Sequence, residues 1–220
     1  MPKELTSLID SCSRCEVIDK PYVKFKVYEK WLPCQVKALI VMESPPPGLK
    51  KSFFYNTNSP DRLRRNLAFI LRLARTGDEV IEWFRSRGLF ITNAVKCRPL
   101  SRERVSIMAK NCKFILRREV ELLKPEVIIA MGLTARRSIR ALSLRSMVRI
   151  IELPHPNYIV RFRRDLIPHV RRIFHEVPSI NSRSGKNIDI EGMHSGEGRR
   201  CSSDRSGACW PLSCAVLEKA

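Results

Sequence analysis

No stretch of the 220 residues approaches the roughly 18 consecutive apolar residues that a membrane-spanning helix requires. The opening MPKELTSLID has no apolar core of the kind a secretory signal carries. The protein is therefore expected off the membrane and inside the cell, in the cytoplasm. In that reducing setting its eight cysteines are expected as thiols or metal ligands rather than as a disulfide framework. Negative charge is scarce. Against 41 Lys and Arg stand 22 Asp and Glu, leaving a formal charge of +19 at pH 7. That excess is more than solubility needs and points to a polyanion partner, nucleic acid first. Residues 178–220 hold six of the basic and five of the acidic side chains, so residues 1–177 carry +18. The positive field belongs to the body of the protein. Glycine is also sparse in that body: five of nine glycines fall after residue 177, in a Ser- and Gly-rich stretch with no apolar periodicity. That composition predicts one domain over residues 1–177 and a disordered tail over 178–220, to whose Cys201, Cys209 and Cys214 no role is assigned.

Within the body, apolar runs rich in β-branched residues alternate with helical patterns. Val36–Met42, Leu89–Val95, Glu126–Met131 and Val148–Leu153 read as strands. A short helical turn lies within residues 1–20 and a basic segment within Tyr22–Lys30. A helix is expected behind Asn58–Asp61, with Leu63, Leu67, Ile70 and Leu71 at helical spacing. Others are expected over Asp78–Arg87, over residues 103–123 as one long amphipathic helix, from Gly132, and over Arg163–His175. Strands alternating with helices predict an α/β fold, a three-layer α/β/α arrangement around a four-stranded parallel sheet.

The organising stretch is Gly88–Leu100, GLFITNAVKCRPL. A buried strand there ends in an amide, a lysine, a cysteine and an arginine, which places chemistry at a strand's carboxyl end, where α/β sheets build ligand sites. Parallel order brings three such ends to one edge, those carrying Glu43, Asn93 and His155. Asn93 can present an acceptor and two donors to a flat heterocycle. Cys12 and Cys15 form a CxxC, Cys97 follows the central strand, and Cys112 lies fifteen residues later on the next helix. Four thiolates in that pattern suit either a tetrahedral zinc site or an iron–sulfur cluster. Lys96, Arg98, Arg161, Arg163 and Arg164 are candidates for backbone phosphates, and Asn157 and Tyr158 for a wedge into a base stack.

The segment ITNAVKCRP resembles the ITNVVKCRPP signature of the uracil-DNA glycosylase superfamily, in particular its iron–sulfur-containing, thermophile-type branch, family 4. The early CxxC, the run LLKPEVIIAMGLTA and the run HPNYIVR are similar to that branch's segments in the same order. The likeness spans roughly residues 8–175. It implies hydrolysis of the bond between uracil, or a related deaminated base, and deoxyribose in DNA, by a monomer. It also implies a 4Fe-4S cluster on Cys12, Cys15, Cys97 and Cys112, with zinc as the alternative. By the same resemblance Asn93 reads the base edge, Met42 belongs to the pocket, and Phe54 or its neighbour Phe53 stacks. His155 faces the 2-oxo side, and Glu43 takes the place of the glutamate in the branch's first motif. That motif is divergent here: Met42-Glu43-Ser44-Pro45-Pro46-Pro47-Gly48 lacks the leading glycine, and LKKS replaces an acidic, Gly-rich stretch. A non-catalytic iron–sulfur protein that binds nucleic acid through the same fold is the rival reading.

Overall fold

The computed structural model of the chain describes residues 2–179, apart from Arg75 and 145–147. From residue 180 on, the predicted tail lies outside the described residues. The four strands form one parallel sheet: β1 (Ala38–Met42), β2 (Leu89–Asn93), β3 (Val127–Met131) and β4 (Arg149–Leu153), in the order β2-β1-β3-β4. The first three are buried along their whole length. Continuous apolar runs such as ALIVM and VIIAM suit strands covered on both faces, as a parallel sheet between helices requires. The register aligns Met42 with Asn93 and Met131 with Leu153, so the carboxyl ends finish level.

The helices are α1 (Pro2–Asp10), α2 (Pro21–Lys24), α3 (Val27–Trp31), α4 (Arg62–Leu71), α5 (Asp78–Arg85), α6 (Val105–Asn111), α7 (Lys113–Leu123), α8 (Leu133–Ala141), α9 (Pro156–Phe162) and α10 (Ile167–Glu176). α1, α2, α3 and α7 pack together, as do α4, α5, α9 and α10, and α8 lies against β3. These groups and the sheet make the three-layer α/β/α fold. None of the described helices is long and apolar enough to cross a membrane.

Local chemistry explains most boundaries. Asp61 caps α4 by accepting from the Arg64 backbone N–H at 2.8 Å. At Gly88 the chain turns from α5 into β2 with φ +72°, and a Cβ there would meet the Gln35 carbonyl at 3.0 Å; a side chain would be strained twice over. Two expectations, for residues 103–123 and for the last helix, need correction. The single helix expected over 103–123 is two, because Cys112 takes turn-like angles (φ −80°, ψ −3°) between α6 and α7. The stretch from Tyr22 to Lys30 folds as two short helices, and both of its tyrosines are buried in the core. The HP turn is followed at once by α9, whereas the helix expected from Arg163 begins at Ile167 after a 3-10 turn over Arg164–Leu166.

Two cations expected at the surface lie inside. Lys96 is fully buried, and its ammonium donates to Thr92 Oγ1 and to Glu119 Oε2 on α7. Glu119 Oε1 in turn accepts from Tyr28 at 2.8 Å and from Thr92 at 2.9 Å. Arg98 is 2% exposed; it pairs with Asp19 at 2.9 Å and donates to the carbonyls of Pro46 and Ser52. Arg64, also buried, donates to the carbonyls of Phe54, Asn56, Ser59 and Thr76. Arg98 and Arg64 therefore grip the two ends of the long loop between β1 and α4. Loop carbonyls would otherwise be buried without donors.

Removing one member of a buried ion pair leaves the other charged and unsolvated, at a cost of about 3–5 kcal/mol. Glu119→Ala is expected to lower unfolding stability by that amount in urea titration. The double change Lys96→Met with Glu119→Leu should recover most of it. A single variant within 1 kcal/mol of the parent, taking about that figure as the resolution of such a titration, would mean the pair is not what holds β2 to α7.

Candidate active site at the carboxyl edge of the sheet

Strand order reverses between β1 and β3, so a crevice opens outside their carboxyl ends, the position where open α/β sheets bind ligands. Glu43 follows β1 directly and is half-buried. Its Oε2 accepts from Thr134 Oγ1 at 2.8 Å, across the crevice from the first turn of α8. Its other oxygen lies 3.9 Å from the guanidinium of Arg102, which is otherwise exposed. Thr134 thus fixes the carboxylate's orientation, and Arg102 keeps a positive charge at the mouth.

His155 follows β4 and caps α9. Its Nδ1 accepts from the Asn157 backbone N–H at 3.1 Å. An Nδ1 that accepts bears no proton, so the neutral ring carries its hydrogen on Nε2 and can donate there. Burial, reinforced by Arg102, lowers the His155 pKa, with Glu43 acting against them. The ring lies over Gly132, which has φ +93° and where a Cβ would come within 3.2 Å of the His155 Cβ. Glycine is needed there both for the turn into α8 and for the approach of the imidazole.

Asn93 ends β2, aligned with Met42 on β1, and both are buried. Its neighbour Thr92 turns to the opposite face and contacts the Tyr22 hydroxyl at 3.3 Å. Burial and then Glu119 raise the Tyr22 pKa, with Thr92 and Asn93 acting against them. The strand ends therefore bring together an amide, a carboxylate and a neutral imidazole with a free donor. That set can read a polar heterocycle, stabilise an anion on it, and stabilise a cation beside it.

A model of the uracil DNA glycosylase superfamily matches residues 29–177. The chain belongs to that superfamily. No curated protein matches the chain. The superfamily span contains Glu43, Asn93, Cys97, Cys112 and His155, and it begins after Cys12 and Cys15.

The remaining candidates divide. Phe53 and Phe54 are both buried. Phe53 packs on Tyr22, Phe25 and Tyr55, and Phe54 meets Tyr55 and Phe84 edge-on. Lys96 and Arg98, read above as phosphate ligands, are corrected: buried and fully engaged, they cannot reach a DNA backbone. Asn157 is half-buried and its side-chain oxygen accepts from Asn66 at 2.8 Å, tying α9 to α4; it is a brace here rather than a free wedge. Tyr158 and Arg161 are exposed on α9. The sequence reading overlooked Thr134, Arg102, Gly132 and Tyr22. Of these only Gly132-Leu133-Thr134, a glycine and a hydroxyl just past a strand, carried a local signal.

Cys97 and Cys112 are buried, and Cys12 and Cys15 are half-buried. Burial first, then Cys112, Cys12 and Cys15, push the Cys97 thiol up to about 12, with Lys20 opposing. Burial likewise raises Cys112, against Lys96. Asn111 donates to the Arg14 carbonyl and to Cys15 Sγ, at 3.1 and 3.3 Å, and so ties the CxxC to α6. Among the described residues no three His, Cys, Asp or Glu stand close enough to hold one metal ion. The four thiols therefore converge within electrostatic reach of one another without closing around a single ion. A bound cation would favour the thiolate form that burial disfavours at Cys97 and Cys112.

A His pKa lowered on folding means that the unfolded chain binds the proton more readily. His155 thus leaves stability untouched above its ordinary value of 6.5 and erodes it as pH falls below that point. In an NMR titration the His155 ring should take up its proton below pH 6.5. Protonation at or above 6.5 would contradict the buried, neutral imidazole.

Proposed function

We propose that this protein is a monofunctional uracil-DNA glycosylase, a divergent relative of the family 4 branch, acting as a monomer on DNA inside the cell. The observation that carries the reading is His155, whose Nδ1 accepts from the Asn157 N–H, together with a Thr134-held Glu43 at the switch point of the sheet. A base within a duplex is out of reach, so the uracil must be extruded into the crevice. Asn93 then offers its carbonyl to the ring N–H and its amino group to the 4-oxo oxygen. Glycosidic cleavage leaves negative charge on the departing uracil and positive charge on the sugar. The His155 Nε2–H donates to the 2-oxo oxygen as that charge develops. No proton need be transferred, and a ring kept neutral by burial suits a donor to an anion. Glu43 stabilises the sugar cation, or orients the water that captures it, and Thr134 keeps the carboxylate facing the sugar.

Four cysteines from three segments favour a 4Fe-4S cluster as the resident group. Cys12, Cys15, Cys97 and Cys112 would hold it, and it would tie the N-terminal segment to β2 and to the junction of α6 with α7. Protein purified without oxygen should be brown and should contain iron and acid-labile sulfide. A colourless protein with zinc and no iron would overturn the cluster, and would require the four thiols to close in further than they stand.

Incubation with a uracil-containing oligonucleotide followed by alkali should cut the strand at the uracil. An intact strand would favour the non-catalytic, DNA-binding alternative. Cytosine reverses the hydrogen-bonding edge of uracil, and each buried group left unpaired costs on the order of 1–3 kcal/mol. Asn93→Asp, isosteric but with a second acceptor, is therefore expected to lose uracil excision at least about tenfold, the equivalent of about 1.4 kcal/mol, with unchanged melting. Full activity in that variant would remove Asn93 from base recognition.

A further inference from the structure

The exposed phenylalanine and tyrosine rings among the described residues gather on one face. Phe69 on α4 is 53% exposed, and Tyr158 and Phe162 on α9 are 48% and 60% exposed. Single exposed apolar side chains need no explanation, but these are arranged. Tyr158 and Phe162 sit one turn apart with ring centroids at 5.4 Å. The Arg161 guanidinium lies 4.9 Å from the Phe162 ring, and that of Arg164 lies 6.0 Å from the Phe69 ring. Phe69 is one turn along α4 from Asn66, whose amide bonds Asn157 on α9, so the two helices present their rings side by side. The acid beside them, Asp165, is occupied by Arg163. α9 starts directly after His155, so at 1.5 Å per residue Phe162 lies about 10 Å along the helix from the site.

Aromatic faces interleaved with guanidinium groups match one ligand chemistry in particular. Unpaired bases stack on rings while their phosphates meet cations, whereas a duplex keeps its bases stacked internally and offers the rings nothing. We propose that the α4–α9 face is a stacking track for unpaired nucleotides flanking the extruded base, which makes single-stranded or locally unpaired DNA the substrate class. The extruded uracil rests on the glycosylase reading; the track itself does not.

The test uses the full chain and uracil-free probes, so that it does not depend on catalysis. Fluorescence anisotropy compares a dT oligomer with an abasic oligomer of equal length, which keeps the phosphates and lacks the bases. The dT oligomer should bind at least about tenfold tighter, the low-to-middle range for base–aromatic stacking. Phe69→Ala with Phe162→Ala should lose about that factor on dT and change less than about twofold on the abasic oligomer. Phe162→Trp should keep dT binding. Equal binding of the two oligomers by the parent protein, which needs no variant, would overturn the track. So would a double variant that melts like the parent and binds dT as well; the face would then belong to a protein partner. Ring-dependent dT binding without uracil excision would keep the track and defeat the glycosylase reading.

Discussion

A lysine and a glutamate with no solvent contact hold the functional edge of this protein in place. Lys96 leaves β2 three residues after Asn93 and turns inward to Glu119 on α7, with Thr92, Tyr22 and Tyr28 completing the hydrogen bonds around the pair. An unpaired charge there would be too costly to bury, so the segment after β2 has one acceptable path. Arg98 repeats the logic two residues on, binding Asp19 on one side and the loop carbonyls of Pro46 and Ser52 on the other. The same segment therefore fixes α7, the N-terminal region and the loop that bears Glu43.

This arrangement explains what the sequence revealed and what it hid. The four strands, their parallel order and the shared edge of Glu43, Asn93 and His155 were legible, because strand periodicity and connection rules act over short stretches of chain. The roles of Lys96 and Arg98 were not. Placed beside a basic body and a DNA-binding resemblance, they read as phosphate ligands, and only the positions of Glu119 and Asp19, which are distant in sequence, show that they face inward. The bond of Asn157 to Asn66 was hidden for the same reason, since that partner lies on another helix. Thr134 was hidden because a hydroxyl in a helical first turn is ordinary until Glu43 is found opposite it. The break at Cys112 had no marker either: VSIMAKNCKFIL keeps a helical apolar pattern straight through it.

The charge balance also changes meaning. Some of the basic residues serve the interior, but Lys96 and Arg98 are matched there by Glu119 and Asp19, so the excess itself is left to the others. The surface field rests on the others, including the arginines of α4 and α9 and Arg102 at the crevice. Arg102 stands where two demands conflict. Its charge disfavours protonation of His155, as a neutral donor requires, and it also lies near Glu43, whose negative charge the proposed chemistry needs. At 3.9 Å and largely in solvent, such a contact is worth little as a salt bridge. It biases the imidazole without neutralising the carboxylate.

The superfamily match begins at residue 29, so half of the proposed cluster ligands come from a segment outside it. That segment also has docking contacts of its own. Leu5 and Ile9 are fully buried, the Ile18 N–H donates to the Arg98 carbonyl, and the Arg98 N–H donates to the Asp19 carbonyl. These contacts bracket the CxxC on both sides and lead it toward Cys97. What they leave uncompensated is local: thiols raised by burial and by one another at the point where the chain segments meet. A cluster in that position would act on the Cys12–Cys15 turn and on the Cys112 break more than on the fold as a whole, because the hydrophobic and buried-charge contacts around it already determine where those segments go.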